Sequence, residues 1–213
     1  MKKQNYRIII IGPQSSGKGT QADLLSEKLK LSLISVGNLI REQIKRKTRL
    51  GKRAAKHVNR GSLIPNELTN QLLRDSFKKH RSGFIIDGYP RDIDQAKFLQ
   101  KLTEITQVIE ITLSNQEAIK RISGRRSCAC GEVYHLKYNP PKKTGRCDEC
   151  GKKLFIRADD QPLAIKRRLK IYRQEIKKLE KFYKKQKVLI KIDGRPNIVK
   201  IHQTILKKLN VHY

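Results

Sequence analysis

Ile8-Ile9-Ile10-Ile11-Gly12-Pro13-Gln14-Ser15-Ser16-Gly17-Lys18-Gly19-Thr20-Gln21 is the stretch whose reading decides the fold. Four consecutive β-branched residues read as a buried strand, and Ala22 to Leu29 as a helix. Between them lies a Gly-rich loop. In that order the three pieces make a cradle for phosphate. Loop N–H groups wrap an anionic chain, the helix start adds the positive end of its dipole, and Lys18 reaches the terminal phosphates. The stretch predicts a site for a nucleoside triphosphate or something close to it. The slot after Lys18 holds Gly19, with Thr20 one place later. A magnesium ion arriving with the nucleotide is therefore expected to rest on nucleotide oxygens and water, with Asp87 orienting the water shell.

Working outward, four more apolar runs at 32–35, 83–87, 107–113 and 188–192 join 7–11 as candidate strands, with helical patterns between them. This alternation predicts an α/β fold of the P-loop NTPase type, a five-stranded parallel sheet flanked by helices. Ligands in such folds sit at the carboxyl ends of the strands. Residues 163–187 carry Leu169, Tyr172, Ile176, Leu179 and Tyr183 at helical steps, and a last helix presents Ile198, Ile201, Ile205 and Leu209. Segments 35–64 and 124–160 break the rhythm and read as insertions over the nucleotide-binding edge, where mobile lids belong. The core is then 1–34, 65–123 and 161–213.

Composition narrows the class. The chain has 213 residues, enough for one well-buried core, and no run long enough to cross a membrane. The charged head Met1 to Arg7 precedes only four isoleucines, too few for a signal-peptide core, so a cytoplasmic setting is expected. The formal net charge is +30, spread along the whole chain, while aromatic residues are 6% and Trp is absent. Interleaved aromatics for base stacking are missing. The charge reads as a solvated Lys-rich surface around an anionic-substrate pocket, with no obligatory nucleic-acid or membrane partner.

All four cysteines fall between Cys128 and Cys150, as Cys128-Ala129-Cys130 and Cys147-Asp148-Glu149-Cys150. Clustered pairs in a reducing compartment favour a tetrahedral structural Zn²⁺ over disulfides. The first pair is one residue shorter than Cys-x-x-Cys, which tightens its bite and leaves His135 as a substitute ligand. Asp87 ends the run Phe84-Ile85-Ile86 and precedes Gly88-Tyr89-Pro90-Arg91. An acidic residue near a divalent cation and an Arg aimed at phosphate suit the site the loop predicts.

Taken together, these motifs resemble the adenylate kinase family, of the type with a long zinc-binding lid. Gly12 to Gln21 is similar to its Gly-x-Pro-Gly-x-Gly-Lys-Gly-Thr-Gln loop, and Asp87-Gly88-Tyr89-Pro90-Arg91 with Gln95 to its Asp-Gly-Phe-Pro-Arg with a downstream Gln. Ser35 to Arg41, Arg121 to Arg126, Val133-Tyr134-His135, Asn139-Pro140-Pro141, Arg157 to Gln161, Arg168 and Asp193-Gly194 follow in the family's order. The resemblance implies a monomer that catalyses ATP + AMP ⇌ 2 ADP with Mg²⁺. It implies that Ser15, Ser16, Gly17, Lys18, Gly19 and Thr20 cradle the ATP phosphates, while Arg121, Arg125, Val133, Tyr134 and Pro196 meet ATP elsewhere. Segment 35–64 would bind AMP, with Val36, Arg41, Ser62, Leu63 and Ile64 lining its pocket. Gly88, Tyr89, Pro90 and Arg91 would complete that pocket, and Gln95 would read the base. Lys18, Asp87, Arg91, Arg125, Arg157 and Arg168 would serve transfer, the last two also touching AMP. Gln14 and Ser15 replace the family's Pro and Gly, and Val36 replaces a Thr that faces adenine. Loss of that hydroxyl keeps UMP or CMP as alternative acceptors. A GTP-dependent AMP kinase and, from the +30 charge and the cysteine knuckle, a nucleic-acid-binding protein on a P-loop domain are the other readings.

Overall fold

A computed structural model describes residues 6–78 and 83–211. Residues 1–5 of the charged head, 79–82 within the predicted core segment 65–123, and 212–213 at the end of the segment 161–213 lie outside them.

Strand β1 (Arg7–Ile11) leads through the Gly-rich loop into α1 (Lys18–Leu29). Next come β2 (Ser32–Ser35), α2 (Val36–Lys45), α3 (Arg49–Arg60), α4 (Asn66–Phe77), β3 (Phe84–Asp87), α5 (Ile93–Leu102), β4 (Gln107–Thr112) and α6 (Asn115–Ser123). A small hairpin, β5 (Arg125–Ser127) and β6 (Val133–His135), precedes the single turn Ala158–Asp160. The chain ends with α7 (Pro162–Lys185), β7 (Leu189–Asp193) and α8 (Ile198–Lys208). The main sheet is wholly parallel in the order β2-β3-β1-β4-β7.

The four isoleucines explain why β1 is central. Ile8 and Ile10 pack with Ala22, Leu25, Ile109, Ile201 and Ile205 on one face of the sheet. Ile9 and Ile11 pack with Leu73, Ile86, Leu99, Ile176 and Leu179 on the other. None of the four exceeds 4% exposure. A strand covered on both faces needs a continuous apolar run rather than an alternating one, and each isoleucine contributes about 1.5–3 kcal/mol by burial.

Local signals set the helix boundaries. Thr48, Asp92, Ser114 and Asn197 each accept an N–H from the first turn of the helix they precede, at α3, α5, α6 and α8. Pro162 occupies the first position of α7, where its missing N–H costs nothing. The predicted strands agree with the observed ones to within a residue or two. Helix α1 starts earlier than Ala22, at Lys18, because the Gly-rich loop itself winds into the helix.

Candidate active site and cysteine knuckle

The Gly12–Lys18 loop curls because its residues adopt turns that few sequences allow. Gly12 is irreplaceable by packing: a Cβ there would lie 2.6 Å from the Ile111 carbonyl oxygen and 2.7 Å from Ser16 Oγ. Ser15 takes a left-handed φ of 58°, the conformation for which the resembling loop uses Gly. The Lys18 ammonium donates to the Pro13 carbonyl at 3.2 Å, so it folds back over the loop. Burial lowers its pKa to about 8, partly opposed by Asp87 and reinforced by Arg91, Arg125 and Arg168.

Four buried polar atoms around this loop, Gln14 Oε1, Ser15 Oγ, Ser16 Oγ and Asp87 Oδ1, have no hydrogen-bond partner. Buried polar groups are normally satisfied. Four orphans at one strand edge describe a surface shaped for a ligand. The other Asp87 oxygen accepts from Ser35 Oγ at 3.3 Å. That bond links the carboxyl ends of β2 and β3, next to β1, where ligands of such sheets bind.

A cavity of about 60 Å³ opens beside the loop, with Lys18, Arg91 and Arg168 converging on it from three elements. Ser62, Leu63, Gly88 and Pro90 also line it, as does Gln14. Behind these lies a wider charged ring. Arg125 makes a two-pronged ion pair with Asp160, its Nε 2.9 Å from one carboxylate oxygen. Arg168 meets Asp159 at 2.5 Å. Arg157 donates to Ser127 Oγ at 2.7 Å, and Arg41 to the side chain of Asn38.

Burial, above all, drives the pKa of Arg41, Arg91, Arg157 and Arg168 downward. Guanidinium nonetheless stays protonated in proteins, so the direction expresses crowded positive charge. Burial pushes the Asp159 carboxyl up, but Arg168, Arg125, Arg157 and Arg41 outweigh it and hold the acid below its ordinary range. Lys18 and the five arginines outnumber the carboxylates they interact with among the described residues, chiefly Asp87, Asp159 and Asp160. The excess of buried positive charge calls for an anion with several phosphate oxygens, which guanidinium forks match in geometry.

Other expected site residues are placed differently. Arg121 pairs with Glu117 at 2.9 Å and donates to the carbonyls of Gly194 and Arg195, next to Pro196. Val36 and Ile64 are buried, and Val133 is 41% exposed. The Tyr134 hydroxyl lies 3.5 Å from Cys147 Sγ and accepts the Asp148 N–H at 2.8 Å, so that side chain serves the knuckle. Tyr89 and Gln95 are each 1% exposed and tied to protein partners, behind the cavity wall rather than on it. Asp159 and Asp160 were not among the residues assigned to the site, although two carboxylates flanked by Arg157 and Arg168 are a readable charge-pairing signal. Asn66 and Thr69, which hold Gln95, give no such signal in the sequence.

The sulfurs of Cys128, Cys130, Cys147 and Cys150 all lie within 4.8 Å of one another. Cys128 and Cys150 approach to 3.4 Å, and Cys130 and Cys147 to 3.6 Å. A disulfide needs about 2.05 Å. A tetrahedron with Zn–S bonds of about 2.3 Å puts its sulfurs about 3.8 Å apart. The set therefore fits tetrahedral zinc, and the short Cys128–Cys130 spacing does not prevent it. His135 is not part of the cluster, because its Nδ1 accepts the N–H groups of Lys137 and Tyr138 at 3.0 and 3.2 Å. Burial pushes the Cys147 thiol up, but hydrogen bonds from Tyr134 and from the N–H groups of Cys150 and Glu149 bring it down to about 6, toward the thiolate a metal takes.

The adenylate kinase family model matches residues 10–188. The chain belongs to the adenylate kinase family. It is 41% identical over 210 residues to the adenylate kinase of Methanothrix thermoacetophila, covering 95% of this chain and 98% of that protein. It is 41% identical over 210 residues to that of Phytoplasma australiense, covering 95% and 97%, and 42% identical over 204 residues to that of Pyrococcus furiosus, covering 93% of each. The α/β fold, the Gly-rich loop and the four-cysteine hairpin of this chain thus stand in one enzyme. Among the described residues, no helix is long and apolar enough to cross a membrane.

Proposed function

We propose that this adenylate kinase moves the terminal phosphoryl group of ATP onto AMP, releasing two molecules of ADP, as a monomer in the cytoplasm. An oxygen of the AMP phosphate forms the new bond to the γ-phosphorus while the bond to the bridging β-oxygen breaks and its electron pair leaves with ADP. The nucleophile is already an anion, so no general base is required. What the protein supplies is alignment and positive charge. The observation that carries this reading is the convergence of Lys18, Arg91 and Arg168 on one cavity beside four unpartnered polar atoms.

In this reading Ser15 to Thr20 hold the ATP phosphates, and Arg41 and Arg91 grip the AMP phosphate beside Ser62 and Leu63. Asp159 and Asp160 hold Arg168 and Arg125 in place until phosphate oxygens replace them as partners. Asp87, with one unpartnered oxygen, would orient the water around Mg²⁺; the ion neutralises charge on the β- and γ-phosphates when bound. Segments 35–64 and 124–160 close over the two nucleotides and exclude water, which would otherwise capture the phosphoryl group. Cys128, Cys130, Cys147 and Cys150 would hold a structural Zn²⁺. Four protein ligands leave it no open position for catalysis.

A coupled assay offering ATP with AMP, CMP, UMP or GMP tests the assignment. AMP is expected to have the highest kcat/KM. Faster turnover of CMP or UMP would replace AMP as acceptor, with Val36 as the residue responsible.

A further inference from the structure

Helix α4 presents Asn66, Thr69 and Asn70 on one face, at the spacing that puts side chains one turn apart together. That face meets the turn between β3 and α5, which carries Arg91. Gln95 lies between the two with both ends of its carboxamide engaged. Its Oε1 accepts the Arg91 N–H at 2.7 Å, and its Nε2 donates to Asn66 Oδ1 at 2.8 Å and Thr69 Oγ1 at 3.3 Å. Asn66 Nδ2 in turn donates to Asp92 Oδ1 at 3.1 Å, and the same oxygen caps α5 by accepting the Gln95 N–H at 2.9 Å. Next to this chain, the Tyr89 hydroxyl lies 2.6 Å from Asn70 Oδ1 and 3.1 Å from the Gln95 carbonyl oxygen.

The chain of bonds has a direction, and a charge sets it. An ionised carboxylate only accepts, so Asp92 obliges Asn66 to turn its NH₂ toward it and its oxygen toward Gln95. Gln95 must then present its NH₂ to Asn66 and its oxygen to Arg91. Turning either amide around would set donor against donor at Arg91, or acceptor against acceptor at Asp92. Gln95 is 1% exposed, so no water makes up for a reversed amide. Arg91 lines the cavity and is anchored at two points, by its N–H on Gln95 and by its Nε on the Gly88 carbonyl at 2.9 Å.

We infer that Asn66, oriented by Asp92, is a positioning residue. It fixes the Gln95 carboxamide and through it the place of Arg91 at the acceptor phosphate. The inference rests on the proposed role of Arg91 as a grip on AMP.

The test compares steady-state kinetics of four variants of the full chain with both nucleotides varied. Asn66→Ala is expected to raise the KM for AMP about tenfold, the cost of an unmet buried amide, while the KM for ATP and kcat change less than threefold. Asn66→Asp sets two carboxylates against each other and is expected to be at least as impaired. The double exchange Asn66→Asp with Asp92→Asn restores one carboxylate and one amide but reverses the bond between the two positions, because the side chain at position 92 would then have to donate from the atom that accepts the Gln95 N–H. It is expected to leave the AMP KM raised at least as much as Asn66→Ala does. A site that needed only one carboxylate and one amide, in either order, would recover. Arg91→Ala separates the two levels of the argument. If it leaves the AMP KM unchanged, the acceptor-site reading itself fails. If it raises the AMP KM while Asn66→Ala and Asn66→Asp do not, only the positioning role is overturned. Equal losses for ATP and AMP in the Asn66 variants, or recovery of the AMP KM in the double exchange, would also overturn it.

Discussion

The Gly-rich loop after β1 and the cysteine knuckle both hold a short, irregular backbone in one shape, and they do so by opposite means. The loop sits at the end of β1, where four isoleucines fill both faces of the sheet. Its geometry is inherited from a large apolar core. The knuckle has only Cys128, Tyr134, Cys147 and Leu154 buried together. Two of those four are themselves candidate metal ligands, and so small a cluster cannot offset the conformational entropy of some thirty residues at about 1–2 kcal/mol each. Its shape needs a cross-link, which four converging thiolates and a zinc ion would supply. A loop anchored in the core and a separately stapled hairpin would suit the proposed closure of segment 124–160 over the nucleotides.

The largest expected effect breaks this comparison most directly. Removing metal with a chelator should unfold the knuckle, since zinc binding in small sites contributes on the order of 10 kcal/mol of folding free energy. Amide exchange across residues 125–155 should then rise by orders of magnitude while β1 and β4 keep their protection. Equal protection of the knuckle before and after chelation would mean that zinc is not its staple. Next in size is Lys18→Met. Loss of one charged donor at developing phosphate charge should lower kcat by at least about a hundredfold, with zinc content and melting temperature retained. Near-normal turnover would remove Lys18 from the reaction.

The same lysine gives a smaller, pH-dependent signal. In the free protein burial holds Lys18 at about 8, so at pH 8.5 a large share of it is neutral. Bound phosphates favour the ammonium and raise its pKa. ATP binding at pH 8.5 should therefore take up a fraction of a proton, visible in calorimetry as a dependence on buffer ionisation enthalpy. The uptake should vanish at pH 6.5, where Lys18 is already charged, and in Lys18→Met. An equal buffer dependence at both pH values would assign the proton to another group. The last prediction addresses the core side. Ile10→Ala should cost about 2–5 kcal/mol of global stability, read from urea unfolding, without changing zinc stoichiometry. If zinc content fell with it, the two regions would share one cooperative unit.

Much of this arrangement was legible before any coordinates. Ile8 to Ile11 followed by Gly12 to Thr20 places a Gly-rich loop between a central strand and a helix, because apolar runs and Gly-rich loops act over a few residues. The cysteines read as one metal-type cluster for the same reason, and the four sulfurs converge. The Lys-rich face of α7 was equally plain. The bonds of Gln95 and Tyr134 were not legible. The resemblance implies that both meet nucleotides; the structure adds that the Gln95 amide bonds to Arg91, Asn66 and Thr69 and that the Tyr134 hydroxyl lies beside Cys147.

By itself, then, the sequence determined the order of strands and helices, the Gly-rich loop after the first strand, the cysteine cluster and the excess of positive charge. All of these follow from burial periodicity, local backbone freedom and composition. Only the tertiary structure decided which arginine meets which carboxylate, that Asp159 and Asp160 hold Arg168 and Arg125, and that Asn66 aligns Gln95. Those bonds join groups 35 residues apart for Arg125 and Asp160, and 29 apart for Asn66 and Gln95. A hydrogen bond is set to a few tenths of an ångström by its direction and distance. Partners that far apart along the chain reach such a geometry only after the sheet and helices have packed.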